Sequence, residues 1–126
     1  MHYLLKTEPS KYSYDDLLRD GETTWDGISN PQALITLRNM KPGETAVIYH
    51  SSIGKEAVGT AKVVSVDTTD HKNPNIRLKA GKRLKEPKSL ASIREAGVFQ
   101  GSIMFRQFRL SVVPLTDEQY DWLVNG

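Results

Sequence analysis

His50 and Ser51 are the nearest this chain comes to a base beside a nucleophile. They are sequence neighbours where the β-forming run Thr-Ala-Val-Ile-Tyr-His meets Ser51, on an expected strand where successive side chains point to opposite faces. They therefore cannot form a nucleophile–base pair directly. His2, His50 and His71 have no metal-ligand spacing. The absence of cysteine excludes disulfides, thiolate metal sites and cysteine nucleophiles. Glu86-Pro87-Lys88, downstream of Asp67 and Asp70, imitates the acidic pattern of metal-dependent nucleases. That chemistry needs Glu and Lys on one face of one strand, and Pro87 sits between them. No glycine-rich phosphate cradle is present. The expectation is a chain without catalytic residues, metal or cofactor.

Aromatic and basic residues carry more. Tyr3 lies near Lys6 and Glu8, Trp25 beside Asp26, and Tyr49 beside His50 and Ser51. Stacking on aromatic faces with hydrogen bonds to a base edge is how proteins read unstacked nucleotides. Taken singly, each of these rings also suits a core. Charge is unevenly spread: residues 1–70 hold seven Lys+Arg against ten Asp+Glu, whereas residues 71–109 hold ten against two. A basic middle third in a domain of net charge +2 suggests one cationic face, for which nucleic acid is the usual partner. A solvated strand-and-loop face is the alternative. Arg106 and Arg109 can add phosphate or stacking contacts.

The elements that must position these residues follow from local signals. His2 to Lys6 reads as a buried strand broken by Pro9. Ser13, with Asp15 and Asp16 in the first turn, opens a short helix with Leu17 and Leu18 inward, stopped at Asp20-Gly21. Trp25 falls in a loop, so its truncation should leave the fold largely intact. Asn30-Pro31 starts a helix running to Met40, because Asn accepts from a free N–H and Pro at the first position has none to lose. Strands follow at 45–50 and 57–66, with Gly59 marking a bulge or a close approach. A third strand at 76–80 puts Arg77 and Lys79 outward. Ser89 caps a helix over 90–96, a strand covers 110–113, and Thr116-Asp117-Glu118-Gln119 fits a capping box for a terminal helix.

One α+β domain spanning 1–126, built on a curved and mostly antiparallel sheet, accounts for this pattern. No apolar run reaches membrane-spanning length, and nothing resembles a signal peptide. The expected setting is cytoplasmic, nucleoid-associated or nuclear, with no membrane partner.

Four motifs in order, Lys6-Thr7-Glu8-Pro9, Trp25-Asp26-Gly27-Ile28-Ser29-Asn30 with Gln32-Ala33, Tyr49-His50-Ser51, and Arg109-Leu110-Ser111-Val112 with Pro114, resemble the EVE domain family. The resemblance covers nearly the whole chain. It implies a PUA-like pseudobarrel of five to six mostly antiparallel strands with short peripheral helices, related to YTH domains. It further implies a non-enzymatic module that holds a modified base in an aromatic-lined pocket, with modified DNA favoured over RNA. Carried over, the pocket comprises Trp25, Asn30, Tyr49 and Ser51, lined by Lys6, Thr7, Glu8 and Gly27, with Ile28, Ser29, Tyr3 and His50 adjoining. Lys79, Lys82, Arg83, Lys85 and Lys88, with Arg106 and Arg109, are the expected phosphate contacts. A monomer, working beside a restriction or defence system, is the expected arrangement. An RNA-reading module, a nucleic-acid-processing enzyme and an interaction domain with a vestigial pocket are the alternatives. The chain departs from the family pattern in three ways. Tyr3 stands for the usual Trp, Ser29 and Pro31 stand for Arg and an aromatic, and the segment 67–77 is short and lacks a Trp. These departures suggest a smaller or differently selective pocket.

Overall fold

The computed structural model describes residues 1–26, 28–107 and 109–126. Its elements are β1 (His2–Thr7), α1 (Tyr14–Asp20), β2 (Glu22–Trp25), α2 (Pro31–Arg38), β3 (Thr45–His50), β4 (Glu56–Asp67), β5 (Asn75–Ser89), α3 (Leu90–Glu95), α4 (Ile103–Arg106), β6 (Val112–Leu115) and α5 (Asp117–Asn125). The strands form one mixed sheet in the order β2-β5-β4-β3-β1-β6. All neighbours are antiparallel except β1 and β3. The two end strands, β2 and β6, do not pair with each other, so the sheet is not a closed barrel.

The caps are set by local chemistry. Ser13 accepts from the Asp16 N–H while the Asp16 carboxylate accepts from the Ser13 N–H, a reciprocal box that satisfies two otherwise orphan donors. Thr116 and Gln119 repeat the device on α5. The Asn30 side chain accepts from the Ala33 N–H at 3.1 Å, as the Asn-Pro start predicts. Gly21 ends α1 at φ +78°, a left-handed conformation that favours glycine.

Both expectations for Gly59 are met. The β3–β4 and β4–β5 registers shift around it. The Tyr14 ring also lies across it, so a built Cβ would stand 2.2 Å from the ring. Tyr14 is fully buried and donates its hydroxyl to the Thr60 carbonyl at 2.8 Å. This contact fastens α1 to the middle of the sheet.

Four expectations need correction. Trp25 is not in a loop. It ends β2, pairs in register with Ile76 and is only 7% exposed. Leu18 points outward at 38% exposure, because a helix of seven residues has room for one buried stripe, which Tyr14 and Leu17 take. The third strand continues past Ala80 to Ser89, since long basic side chains cover its outer face without interrupting the ladder. The last strand begins at Val112, after α4 and a 3-10 turn at Gly97–Phe99 that the sequence did not announce.

Buried apolar side chains from all six strands join Ala33, Leu37, Ile93, Phe99 and Leu123 of the flanking turns of helix in one core. Among the described residues, no helix is long and apolar enough to cross a membrane.

Candidate functional site

The C-terminal end of β1 is where two cavities meet. One, of about 410 Å³, is lined by Lys6, Thr7, Glu8, Lys11, Tyr12, Thr23, Thr24, Trp25, Asp26 and Ile28. β1 and β2 are separated by three strands in the sheet order, so curvature brings Lys6-Thr7-Glu8 against the end of β2. Trp25 forms a wall whose ring is held edge-on to Tyr12 at 6.4 Å. Thr7 fixes that side by donating its hydroxyl to the Tyr12 carbonyl at 2.7 Å. The remaining lining mixes ammonium, carboxylate and hydroxyl groups, a surface able to read the edge of a flat polar molecule.

The second cavity, of about 260 Å³, lies between the sheet and the helices α3 and α4. Its lining is Lys6, Tyr49, Ser51, Ser52, Lys55, Leu90, Met104 and Phe105. Lys6 and Tyr49 are register partners, so both project from one face of the sheet, with the ammonium 6.0 Å from the ring centroid. Burial pushes the Lys6 pKa down and the Tyr49 pKa up, because both charged forms lose water there.

The structure therefore distributes the twelve residues named for a base pocket. Lys6, Thr7, Glu8, Trp25 and Ile28 line the larger cavity. Tyr49 and Ser51 line the smaller one, which shares Lys6. Ser29 and Asn30 are exposed and border neither, and the Asn30 side chain is engaged in its cap. Tyr3 is buried in the core, with its hydroxyl donated to Glu44 at 2.8 Å. Burial and the Glu44 carboxylate raise its pKa well above the ordinary tyrosine range. His50 accepts the Tyr14 N–H at Nε2, 3.0 Å away, and burial lowers its pKa, which favours the neutral ring. Gly27 lies outside the described residues.

The basic residues divide too. Lys79, Lys82, Arg83 and Lys85 are exposed along β5, and Arg106 and Arg109 are exposed near α4. Lys82, Arg83 and Lys85 border a groove of about 400 Å³ with Tyr120, Val124 and Asn125. Arg83 is also paired with Asp15. Lys88 is the exception, and its assignment to phosphate needs correction. It is 7% exposed, donates to the Gly126 carbonyl at 2.6 Å and lies 5.7 Å from the Trp122 ring centroid. These contacts hold the terminal helix against β5.

The sequence reading missed Lys11, Tyr12, Thr23, Thr24 and Asp26 in the larger cavity, and Ser52, Lys55, Leu90, Met104 and Phe105 in the smaller. No pattern in the four residues of β2 could have signalled Thr23 and Thr24. Nothing local could have signalled the helix residues Leu90, Met104 and Phe105. Among the described residues no group of three or more His, Asp or Glu side chains could hold a metal ion.

The EVE domain model matches residues 1–126. Thymocyte nuclear protein 1 of Homo sapiens is 30% identical over 163 aligned positions, covering 98% of this chain and 72% of that protein. The NMR structure of a protein from Rhodopseudomonas palustris is similar at TM-score 0.90 and 31% identity, covering 98% of this chain and 90% of that one. The crystal structure of the human THYN1 protein in complex with 5-methylcytosine-containing DNA is similar at TM-score 0.88 and 26% identity, covering 98% and 95%.

Proposed function

The chain belongs to the EVE domain family, and on that premise we propose that it is a non-catalytic DNA-binding module holding a modified base in the larger cavity. The observation that carries this reading is the convergence of Lys6-Thr7-Glu8 with Trp25, Asp26 and Ile28 in one space of about 410 Å³. That volume falls within the roughly 300–1,000 Å³ of small-molecule sites. A relative of the same fold has been seen with 5-methylcytosine-containing DNA, which supports the same ligand class here.

The base lies against the Trp25–Tyr12 wall, and Thr7, Thr23, Thr24, Glu8 and Asp26 offer donors and acceptors to its edge. Stacking accepts any base and contributes roughly 1–3 kcal/mol. Burial of one methyl adds about 0.8 kcal/mol, a few-fold in affinity. A duplex must also extrude the base, at a few kcal/mol. Modified over unmodified base by a few-fold to about one order of magnitude, and single-stranded or mismatched sites over intact duplex, are the expected results. Matched oligonucleotides carrying cytosine, 5-methylcytosine, 5-hydroxymethylcytosine or N6-methyladenine at one site, in DNA and in RNA, provide the titration. Equal affinity for all of them would defeat the reading and leave a general nucleic-acid binder.

The strand then runs along β5. Ile76 pairs with Trp25, and Lys82 lies six residues further on, roughly 20 Å away at strand rise. Lys82, Arg83 and Lys85 are thus set for phosphates a few nucleotides from the pocket. Changing Lys82 and Lys85 together to glutamine should reduce the slope of log affinity against log salt by about 1.4 for single strands, since each neutralised phosphate contributes about 0.7. Affinity should fall about equally for all sequences. An unchanged slope would place the groove outside the interface.

A further inference from the structure

The smaller cavity has a chemistry of its own. Tyr49 and Met104, which are 4% and 2% exposed, form its apolar wall together with the half-buried Leu90 and Phe105. Its polar groups are the ammonium groups of Lys6 and Lys55 and the hydroxyls of Ser51, Ser52 and Tyr49, and among the described residues none of its lining side chains is a carboxylate. The Arg94 guanidinium sits 5.7 Å from the Phe105 ring centroid and adds a third positive charge nearby. A bare inorganic anion gains nothing from the apolar wall. An uncharged apolar molecule makes no use of the two ammonium groups. The lining fits a molecule that is flat and apolar at one end and anionic at the other.

We propose that this cavity is a second ligand subsite, for a nucleoside monophosphate unit. Its ring lies between Tyr49 and Phe105, and its phosphate meets Lys6 and Lys55. The lowered pKa of Lys6, caused by burial, is in keeping with a site whose cation gains from an arriving anion. Ser51 and Ser52 are placed for sugar hydroxyls or the base edge. The proposal goes beyond the base-pocket reading and touches it only through Lys6, which lines both cavities. A phosphate beside Lys6 can therefore belong to a free nucleotide or to the neighbour of the base held in the larger cavity.

The test uses cytidine 5′-monophosphate as probe and the Met104 methyl resonance as reporter in the full chain. The nucleotide should shift Met104 and Phe105 signals in a saturable way, while inorganic phosphate alone should not. Lys55→Glu, at an exposed position, should weaken the nucleotide at least fivefold with little change in thermal midpoint. In Trp25→Phe, which changes a wall of the larger cavity and no lining residue of the smaller one, the Met104 shift should persist. A loss of base selectivity is thereby told apart from a loss of this subsite. A single strand with an abasic position beside the modified base then separates the sources. Affinity lowered at least fivefold assigns the unit to the strand, and unchanged affinity with the nucleotide still binding assigns it to free nucleotide. Unmoved Met104 and Phe105 signals at millimolar nucleotide, an equal shift with phosphate alone, or full affinity in Lys55→Glu would overturn the proposal.

Discussion

Replacing Trp25 by alanine is expected to remove roughly 3–5 kcal/mol of stability, the range for deleting a large buried aromatic. For a chain of this length that corresponds to a fall in thermal midpoint of about 10–20 °C. The ring is 7% exposed, it closes the β2–β5 pair opposite Ile76, and it holds Tyr12 edge-on. Only a sliver of it faces the larger cavity, yet that sliver is the apolar wall available to a base. Assayed below its midpoint, the variant should also bind the modified oligonucleotide about tenfold or more weakly, as the loss of one stacking contact requires. Thermal unfolding and titration of the same sample separate the two effects. A stability loss below about 1 kcal/mol would contradict the burial. Unchanged affinity in the folded protein would leave Trp25 as a core residue only.

Gly59→Ala is the second substitution with a large expected effect. The added Cβ would stand 2.2–2.6 Å from three atoms of the Tyr14 ring, far inside van der Waals contact. The ring cannot yield by a small rotation, because its hydroxyl is tied to the Thr60 carbonyl at 2.8 Å and the Tyr14 backbone N–H to His50 Nε2 at 3.0 Å. Overpacking by one methyl commonly costs about 1–3 kcal/mol. Here expulsion of a fully buried tyrosine brings the expected loss to above about 3 kcal/mol. A double-mutant cycle tests the cause: once Tyr14→Ala has vacated the space, Gly59→Ala should cost far less than it does alone. Strict additivity would mean that the methyl is accommodated some other way, and the ring contact would lose its importance. His50 enters this network as an acceptor, so its Nε2 is committed to the start of α1, and burial favours its neutral ring.

The parts of the molecule legible in the sequence are those whose physics is complete within a few residues. The caps at Ser13, Asn30, Ser89 and Thr116 each satisfy the N–H three positions on, so the residue types alone locate the helix starts. Strand alternation, the special need at Gly59 and the basic middle third were equally local. So was the motif order by which the chain resembles its family. The strand containing Trp25 was hidden because four residues of β2 carry too little pattern, and its register with β5 spans some fifty positions. Tertiary structure alone decided which aromatic faced what. Tyr3 and Tyr49 read alike in sequence, yet one hydroxyl is held by Glu44 in the core and the other ring walls a cavity. It also separated Lys88 from the exposed lysines, because only the packing of α5 against β5 places the Gly126 carbonyl and the Trp122 ring beside that ammonium. The division into two cavities around Lys6 has the same origin. Curvature brings β2 to the end of β1, and helices from the last third cover Tyr49. Neither approach is encoded in the spacing of neighbouring residues, because each depends on strand order and sheet bending across the whole chain.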